Sequence, residues 1–346
     1  MPMPVSIREV AARAGVSLGT VSKVLNNSSG AQIATGTRER VRVAARDLGY
    51  HPSAVARALV RKQTDTLGVI FPRFTSESPI RGGFFSYVFN EILEAAHLRE
   101  QDITILSGRT WKDAQTSLPQ YRDGRCDGYV VFFQFDGSDL IESFLENKVP
   151  FVLVNDCNND PRLSCVDVDN HESAFAATRY LLSLGHRRIA HLPGNIPHGP
   201  VQGRIQGYKE ALKNAGIPFD PRLCPAGDYM FESVAERVTA LMGLPEAERP
   251  TGIFCGADGM AVSTLRVLAR LGVRVPEDVS VVGHDDLPEA SQEHPPLTTM
   301  RQPFPRIGLA VIDELLSVIG NIESRGNKRY LSAELVVRES TAKPVR

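Results

Sequence analysis

The chain has 346 residues, of which 42% are hydrophobic and 23% charged, with a net charge of −1. That is the composition of a globular chain with room for two or three domains. It excludes a membrane protein, since no stretch reaches the ~18 apolar residues of a span, and the polar segment from Met1 to Arg13 excludes a secretory signal. Five cysteines (Cys126, Cys157, Cys165, Cys224, Cys255) form no CxxC pair. Reduced thiols in a cytoplasmic protein, with no bound metal, are therefore expected.

The charge is unevenly spread. Residues 1–62 carry ten basic groups against three acidic ones, a net of +7, and the remainder carries 29 against 37, a net of −8. A basic head on an acidic body is an electrostatic footprint for nucleic acid, although a solvated basic face gives the same count.

Ser6-Ile7-Arg8-Glu9 reads as a capping box. Ile7, Val10, Ala11 and Ala14 then recur at helical spacing, and Gly15 ends the helix. Ser17 caps a second helix carrying the apolar residues Leu18, Val21, Val24 and Leu25. A third starts at Thr37, buries Val41, Ala44, Ala45 and Leu48, and stops at Gly49. Two short helices across a tight glycine-containing turn form a helix-turn-helix, whose second helix enters the major groove. Its outer face carries Leu18, Gly19, Ser22, Lys23 and Asn26. Lys23 suits guanine O6 and N7, and Leu18 suits a thymine methyl. Ser17, Thr20 and Ser22 suit phosphate oxygens, and Gly19 allows close backbone approach. The bland alternative is a helical hairpin with no DNA role.

Ser53 caps a short helix through Ala54–Val60, with a polar linker to Asp65. At two turns it is marginal alone in water. From Thr66 the chain alternates apolar runs and amphipathic helices: strands are predicted at 66–72, 103–107, 127–133, 150–155, 187–194, 251–256 and 280–285. This rhythm predicts parallel sheets with helices on both faces, and its length predicts two lobes. No GxGxxG, P-loop, GxSxG or HExxH motif is present, so no cofactor, metal or catalytic constellation is expected. Asp285 and Asp286 are adjacent at a strand end, so at most one faces a site.

Three runs, SIREVAARAGVSLGTVSKVLN (6–26), TRERVRVAARDLGYHPSAVARAL (37–59) and TLGVIFP (66–72), resemble the N-terminal portion of the lactose-repressor (LacI) family of regulators. The segment 26–37 looks about two residues longer than the family loop. Runs at 167–194, 204–217, 255–286 and 295–303 resemble the family's periplasmic-binding-protein-like effector domain. The resemblance implies a helix-turn-helix head (1–50), a hinge (51–65) and a two-lobed α/β body (66–341). The lobes would be 66–168 with 301–328, and 169–299 with 329–341, with crossovers near Asp169, Met300 and Lys328. It implies that hinge residues Ala56 and Leu59 meet the minor groove, Leu59 as a wedge. It also implies effector contacts from Arg204 and Asp285, with Asp258 where the family usually reads Asn-Asp. Tyr229 falls where an aromatic stacks on ligand, and Phe74 and Phe84 are candidate cleft walls; core packing is the alternative for these three.

The implied partners are operator DNA, a small polar effector such as a sugar, and a second copy of the chain, with no membrane. No leucine heptad follows residue 341, which favours a dimer over a tetramer. The expected function is a nucleoid-associated DNA-binding regulator and repressor, not an enzyme. A solute-binding protein without regulatory output is the alternative.

Overall fold

The structure, a computed structural model, describes residues 5–26, 32–52, 58, 61, 63–71, 83–106, 114–132, 139–157, 160–194 and 199–345. The chain divides into two compact units between Thr66 and Leu67.

The first unit holds α1 (Ile7–Ala14), α2 (Leu18–Leu25) and α3 (Thr35–Asp47). Glu9 accepts hydrogen bonds from the Ser6 N–H (2.7 Å) and hydroxyl (2.9 Å), fixing the start of α1. Gly15 takes φ 65°, a left-handed conformation that favours glycine, and turns the chain into α2. Val10, Ala11, Ala14, Val21, Val24, Val41, Ala44 and Ala45 form the small core on which the three helices pack. α3 begins two residues before the expected Thr37, because the N–H groups of Thr37 and Arg38 both close onto the Ala34 carbonyl. The hinge helix expected over 54–60, with Ala56 and Leu59, lies outside the described residues except for Ala58.

The second unit contains two sheets. The first comprises β1 (Thr66–Ile70), β2 (Asp102–Leu106), β3 (Gly128–Phe132), β4 (Phe151–Val154), β5 (Cys165–Val168) and β10 (Lys328–Leu331), in the order β10-β5-β4-β3-β1-β2. The second comprises β6 (Ile189–Leu192), β7 (Gly252–Cys255), β8 (Ser280–Asp285), β9 (Thr298–Arg301) and β11 (Glu334–Val336), in the order β11-β9-β8-β7-β6. In the first sheet β10–β5, β5–β4, β4–β3 and β3–β1 pair in parallel, and in the second the pairings are parallel except at the edge, where β11 runs antiparallel to β9. The helices are α4 (Phe84–Leu98), α5 (Ala114–Tyr121), α6 (Leu140–Glu146), α7 (Asn170–Ser183), α8 (Gly199–Asn214), α9 (Phe231–Met242), α10 (Asp258–Arg270), α11 (Pro288–Gln292) and α12 (Phe304–Gly320).

Both sheets are covered on two faces, as near-continuous apolar strands require. On the first sheet, α4 and α12 pack over Leu67, Val69, Val130 and Val152, while Phe144 and Tyr121 close the other side over Tyr129 and Phe151. On the second, α9 and α10 cover Ile253 and Val281, and α7 and α8 cover Ile189, Phe254 and Val282. The chain passes between sheets after β5, after β9 and between β10 and β11. The last crossover falls after Leu331, so Arg329–Leu331 pair with β5 of the first sheet rather than joining the second lobe as expected.

The expectation of five reduced thiols is corrected. Cys157 and Cys165 are joined in a disulfide, with Cα atoms 5.5 Å apart, and only Cys126, Cys224 and Cys255 are free. Leu153 of β4 pairs with Cys165 of β5, and the turn after β4 folds Cys157 back beside it. A spacing of eight residues hides that proximity in the sequence.

Candidate functional site

In the head, α2 turns Val21 and Val24 inward and leaves Leu18 (44% exposed), Gly19 and Lys23 outward. Ser17 is the N-cap: its hydroxyl accepts from the Thr20 N–H at 3.1 Å and lies 2.9 Å from the Thr20 hydroxyl. Ser22 and Asn26 are half-buried, with the Asn26 side-chain amide donating to the Ser22 hydroxyl at 3.2 Å. A rigid apolar base thus carries a small outward face with one ammonium and one apolar tip.

In the body, Arg204 on α8 is 6% exposed. It donates to Asn170 Oδ1 at 2.5 Å and to the Tyr229 hydroxyl at 3.2 Å, while its Nε has no partner among the described residues. Asn170, the first residue of α7, donates in turn to Asp167 Oδ1 (3.3 Å) and to the Val168 carbonyl (3.0 Å). Tyr229 is 43% exposed and its ring lies against Gly194, where a Cβ would stand 2.4 Å from Tyr229 Cζ. Gly194 also has φ 94°, so glycine is required there on both counts.

Asp285 closes β8 with φ 133°, a strained value for a residue with a side chain. Its carboxylate accepts from the Gln302 side-chain amide (2.7 Å) and the Asp258 N–H (3.3 Å). Asp258 accepts from the Thr299 hydroxyl (2.6 Å) and the Leu287 N–H (2.8 Å). The next residue, Asp286, turns away to Arg301 and Arg338, both at 2.6 Å.

Burial raises the proton affinity of both Asp258 and Asp285; the Asp285 charge raises Asp258 further, whereas hydrogen bonds from Gln302 and the Asp258 N–H hold Asp285 back, and burial pushes Asp167 up to about 7. Burial lowers His191 to about 3 and holds His284 well below its ordinary value, which favours the neutral imidazole at both. For Asp167 the folded value lies above the unfolded 3.8. Its stabilising share is therefore complete below about pH 4 and is lost as pH rises toward 7. Asp167→Asn is expected to gain stability relative to the parent over that interval, read as the difference in urea midpoints; parallel pH profiles would show that Asp167 is ionised throughout.

Ser173 Oγ lies 2.8 Å from His284 Nε2, and His284 Nδ1 lies 3.3 Å from Asp285 Oδ1. The order is that of a hydrolase triad, but all three side chains are buried and Gln302 also engages His284 and Asp285. A nucleophile needs access to substrate, which this serine lacks. Among the described residues no group of three or more His, Cys, Asp or Glu side chains is placed to hold a metal.

A cavity of about 250 Å³ opens where the crossover strands meet α7 and α8, lined by Asp167, Asp169, Asn170, His171, Gly203 and Tyr330 among others. Arg204 follows Gly203 and reaches this cavity through Asn170. Asp258, Asp285 and Tyr229 are not among its lining residues. Phe84 packs on Phe85 and Phe304 in the first lobe (centroids 5.3 and 5.8 Å), and Phe74 lies outside the described residues. Asn170, Asp167 and Tyr330 were not singled out from the sequence. The run Asp167-Val-Asp169-Asn170, polar at a strand-to-helix junction, was the available signal for the first two.

A helix-turn-helix head followed by two parallel α/β lobes with polar side chains gathered at their crossovers defines a DNA-binding regulator with a ligand-binding body. Residues 6–53 match the bacterial regulatory proteins of the lacI family, and residues 178–341 match the periplasmic binding protein-like domain. The transcriptional regulator CelR of Thermobifida fusca is 34% identical over 340 residues, 97% of this chain and 98% of that protein. The CelR–cellobiose complex matches with TM-score 0.72 at 31% identity, covering 97% of this chain and 99% of that one. The Lac repressor dimer bound to operator and the anti-inducer ONPF matches with TM-score 0.82 at 26% identity, covering 98% and 100%. The chain belongs to the lacI family of bacterial regulatory proteins, and is a DNA-binding transcriptional regulator.

Proposed function

We propose that this regulator represses transcription as a homodimer, reading a pseudo-palindromic operator through α2 and releasing or holding it according to a small polar effector in the body. The observation that carries the reading is the union, in one chain, of an outward Leu18–Lys23 face on a packed three-helix head and a buried Arg204–Asn170–Asp167 chain reaching a cavity. In this reading residues 1–50 are the head, 51–65 the hinge and 66–341 the body, and the protein works in the cytoplasm on nucleoid DNA with no catalytic turnover.

Asp167, Asp169 and Asn170 offer carboxylate and amide groups to a ligand rich in hydroxyls, which supports a sugar. Arg204 and Asp285 act beside it, with Asp258 and Tyr229 holding their positions. The effector shifts the regulator only by binding one lobe arrangement better than the other. A solute-binding protein would have no use for the +7 head.

Selection from a random duplex library at stated salt tests this. A pseudo-palindrome with half-sites about one helical turn apart supports the dimeric reader, and no enrichment with or without a metabolite extract sinks it. On the selected site, Leu59→Ala should weaken binding strongly by removing the minor-groove wedge. Lys23→Ala should change base preference by about 1–3 kcal/mol at one position. A uniform loss with a smaller salt slope would make Lys23 a phosphate contact instead.

A further inference from the structure

We propose that Cys157 and Cys165 are a redox-modifiable pair in the cavity wall, oxidised by hydrogen peroxide, whose closed form braces the first lobe against the helix that carries Arg204. The inference goes beyond the operator and effector reading and holds whichever ligand the cavity takes.

Three placements carry it. The two sulfurs are bonded across the β4–β5 connection, with a Cα separation inside the ordinary disulfide range. Their environments differ. Cys165 is buried among Tyr129, Phe144, Phe151 and Leu163, whereas Cys157 is half-buried and lines the cavity. A small oxidant therefore meets Cys157 first, and Cys165 is the resolving partner. Finally, the Asp156–Cys157 segment abuts the start of α8. A Cβ on Gly199 would stand 3.5 Å from Asp156 Oδ1 and 3.8 Å from the Cys157 carbonyl oxygen. Whatever ties Cys157 down also holds the wall against which α8 begins, five residues before Arg204.

The chemistry balances. The Cys157 sulfur attacks peroxide, the O–O bond breaks, and a sulfenic acid and one water result. The Cys165 sulfur then displaces the hydroxyl, forming the S–S bond and releasing a second water. Two thiol protons and two electrons have passed to the peroxide oxygens, and a dithiol reductant reverses the step. The remaining cysteines are poor competitors: burial pushes Cys126 and Cys224 up to about 11 and Cys255 up to about 12, leaving little thiolate. In a reducing compartment, disulfides are usually transient and redox-sensing, which is the use proposed here.

The test uses the full chain, reduced with a dithiol, desalted and divided. One half receives hydrogen peroxide, and both are denatured and alkylated with N-ethylmaleimide. The reduced half should take label on all five cysteines and the oxidised half should lose two of those labels. Trypsin should then release residues 149–162 joined to 163–179, since Lys148, Arg162 and Arg179 flank the two cysteines. In native hydrogen exchange, the amides of Gly199 and residues 201–204 should exchange roughly threefold or more slowly in the oxidised protein. Cys157→Ala, at the half-buried position, should make that exchange insensitive to peroxide, and Cys165→Ala should do the same if its apolar site tolerates the change. Retention of five labels after peroxide, linkage to another cysteine, or identical exchange at those amides in the two halves would overturn the proposal.

Discussion

Replacing Arg204 by alanine is expected to abolish the effector response while leaving operator recognition by the head, and to cost the body about 3 kcal/mol, as when one partner of a buried charged hydrogen bond is removed. The guanidinium is the group that Asn170 Oδ1 and the Tyr229 hydroxyl accept from, and truncation leaves the buried Asn170 oxygen without its donor. It also removes the cation that eases ionisation of Asp167 and Asp285. Those carboxyls would hold their protons to still higher pH, so the deficit should widen as pH rises through about 7, where the parent's Asp167 ionises. Arg204→Lys keeps the charge but not the planar fork that reaches two acceptors, and should fall between the two. Urea midpoints at two pH values report the stability arm. Operator release titrated with the effector identified from the regulated genes reports the other. An unchanged response would remove Arg204 from the effector site, and an unchanged midpoint would mean that its buried hydrogen bonds carry no net stability.

The elements most legible in the sequence were those whose own periodicity specifies them. α1 buries Val10, Ala11 and Ala14 and α2 buries Val21 and Val24, with the expected Ile7 and Leu25 only half-buried at the rim, and the longer apolar runs became β1, β3, β4, β6, β7 and β8. The strands that escaped notice are short and lie at sheet margins or crossovers. β10 reads Lys-Arg-Tyr-Leu and β11 only Glu-Leu-Val, with no alternation to separate them from loop. β5 carries a buried aspartate, which composition alone assigns to a turn. Those segments are strands because a neighbour is waiting for them, which is tertiary information. The site divides the same way. Arg204 and Asp285 came from resemblance, whereas Asn170 acquires its part only by meeting Arg204 across 34 positions. The Cys157–Cys165 bond escaped for a related reason, since the fold of the β4–β5 connection, not a spacing motif, brings the sulfurs together.

Gly207→Ala is expected to be the most disruptive single methyl in the second lobe. An added Cβ would stand 2.0 Å from the His171 carbonyl oxygen and 2.9 Å from the Phe175 nitrogen. Both are backbone atoms of α7, so no side chain can swing aside, and α8 must move bodily away. Overpacking of a close helix contact costs about 3 kcal/mol when relaxation is confined to backbone shifts. The displacement would also part Arg204 on α8 from Asn170 at the head of α7, coupling a packing defect to the site. Two glycines calibrate the effect. At Gly203 the nearest atom to a Cβ is the Asn170 Cβ at 3.1 Å, a tighter than usual contact that calls for a small adjustment, so Gly203→Ala should lose less. At Gly259 in α10 no atom of the described residues lies within 4 Å, so Gly259→Ala should gain up to about 1 kcal/mol from helix propensity. The order of urea midpoints should therefore be Gly259→Ala, parent, Gly203→Ala, Gly207→Ala. A Gly207→Ala protein as stable as its parent would mean that α7 and α8 do not approach this closely, and the Arg204–Asn170 contact that depends on their approach would fall with it.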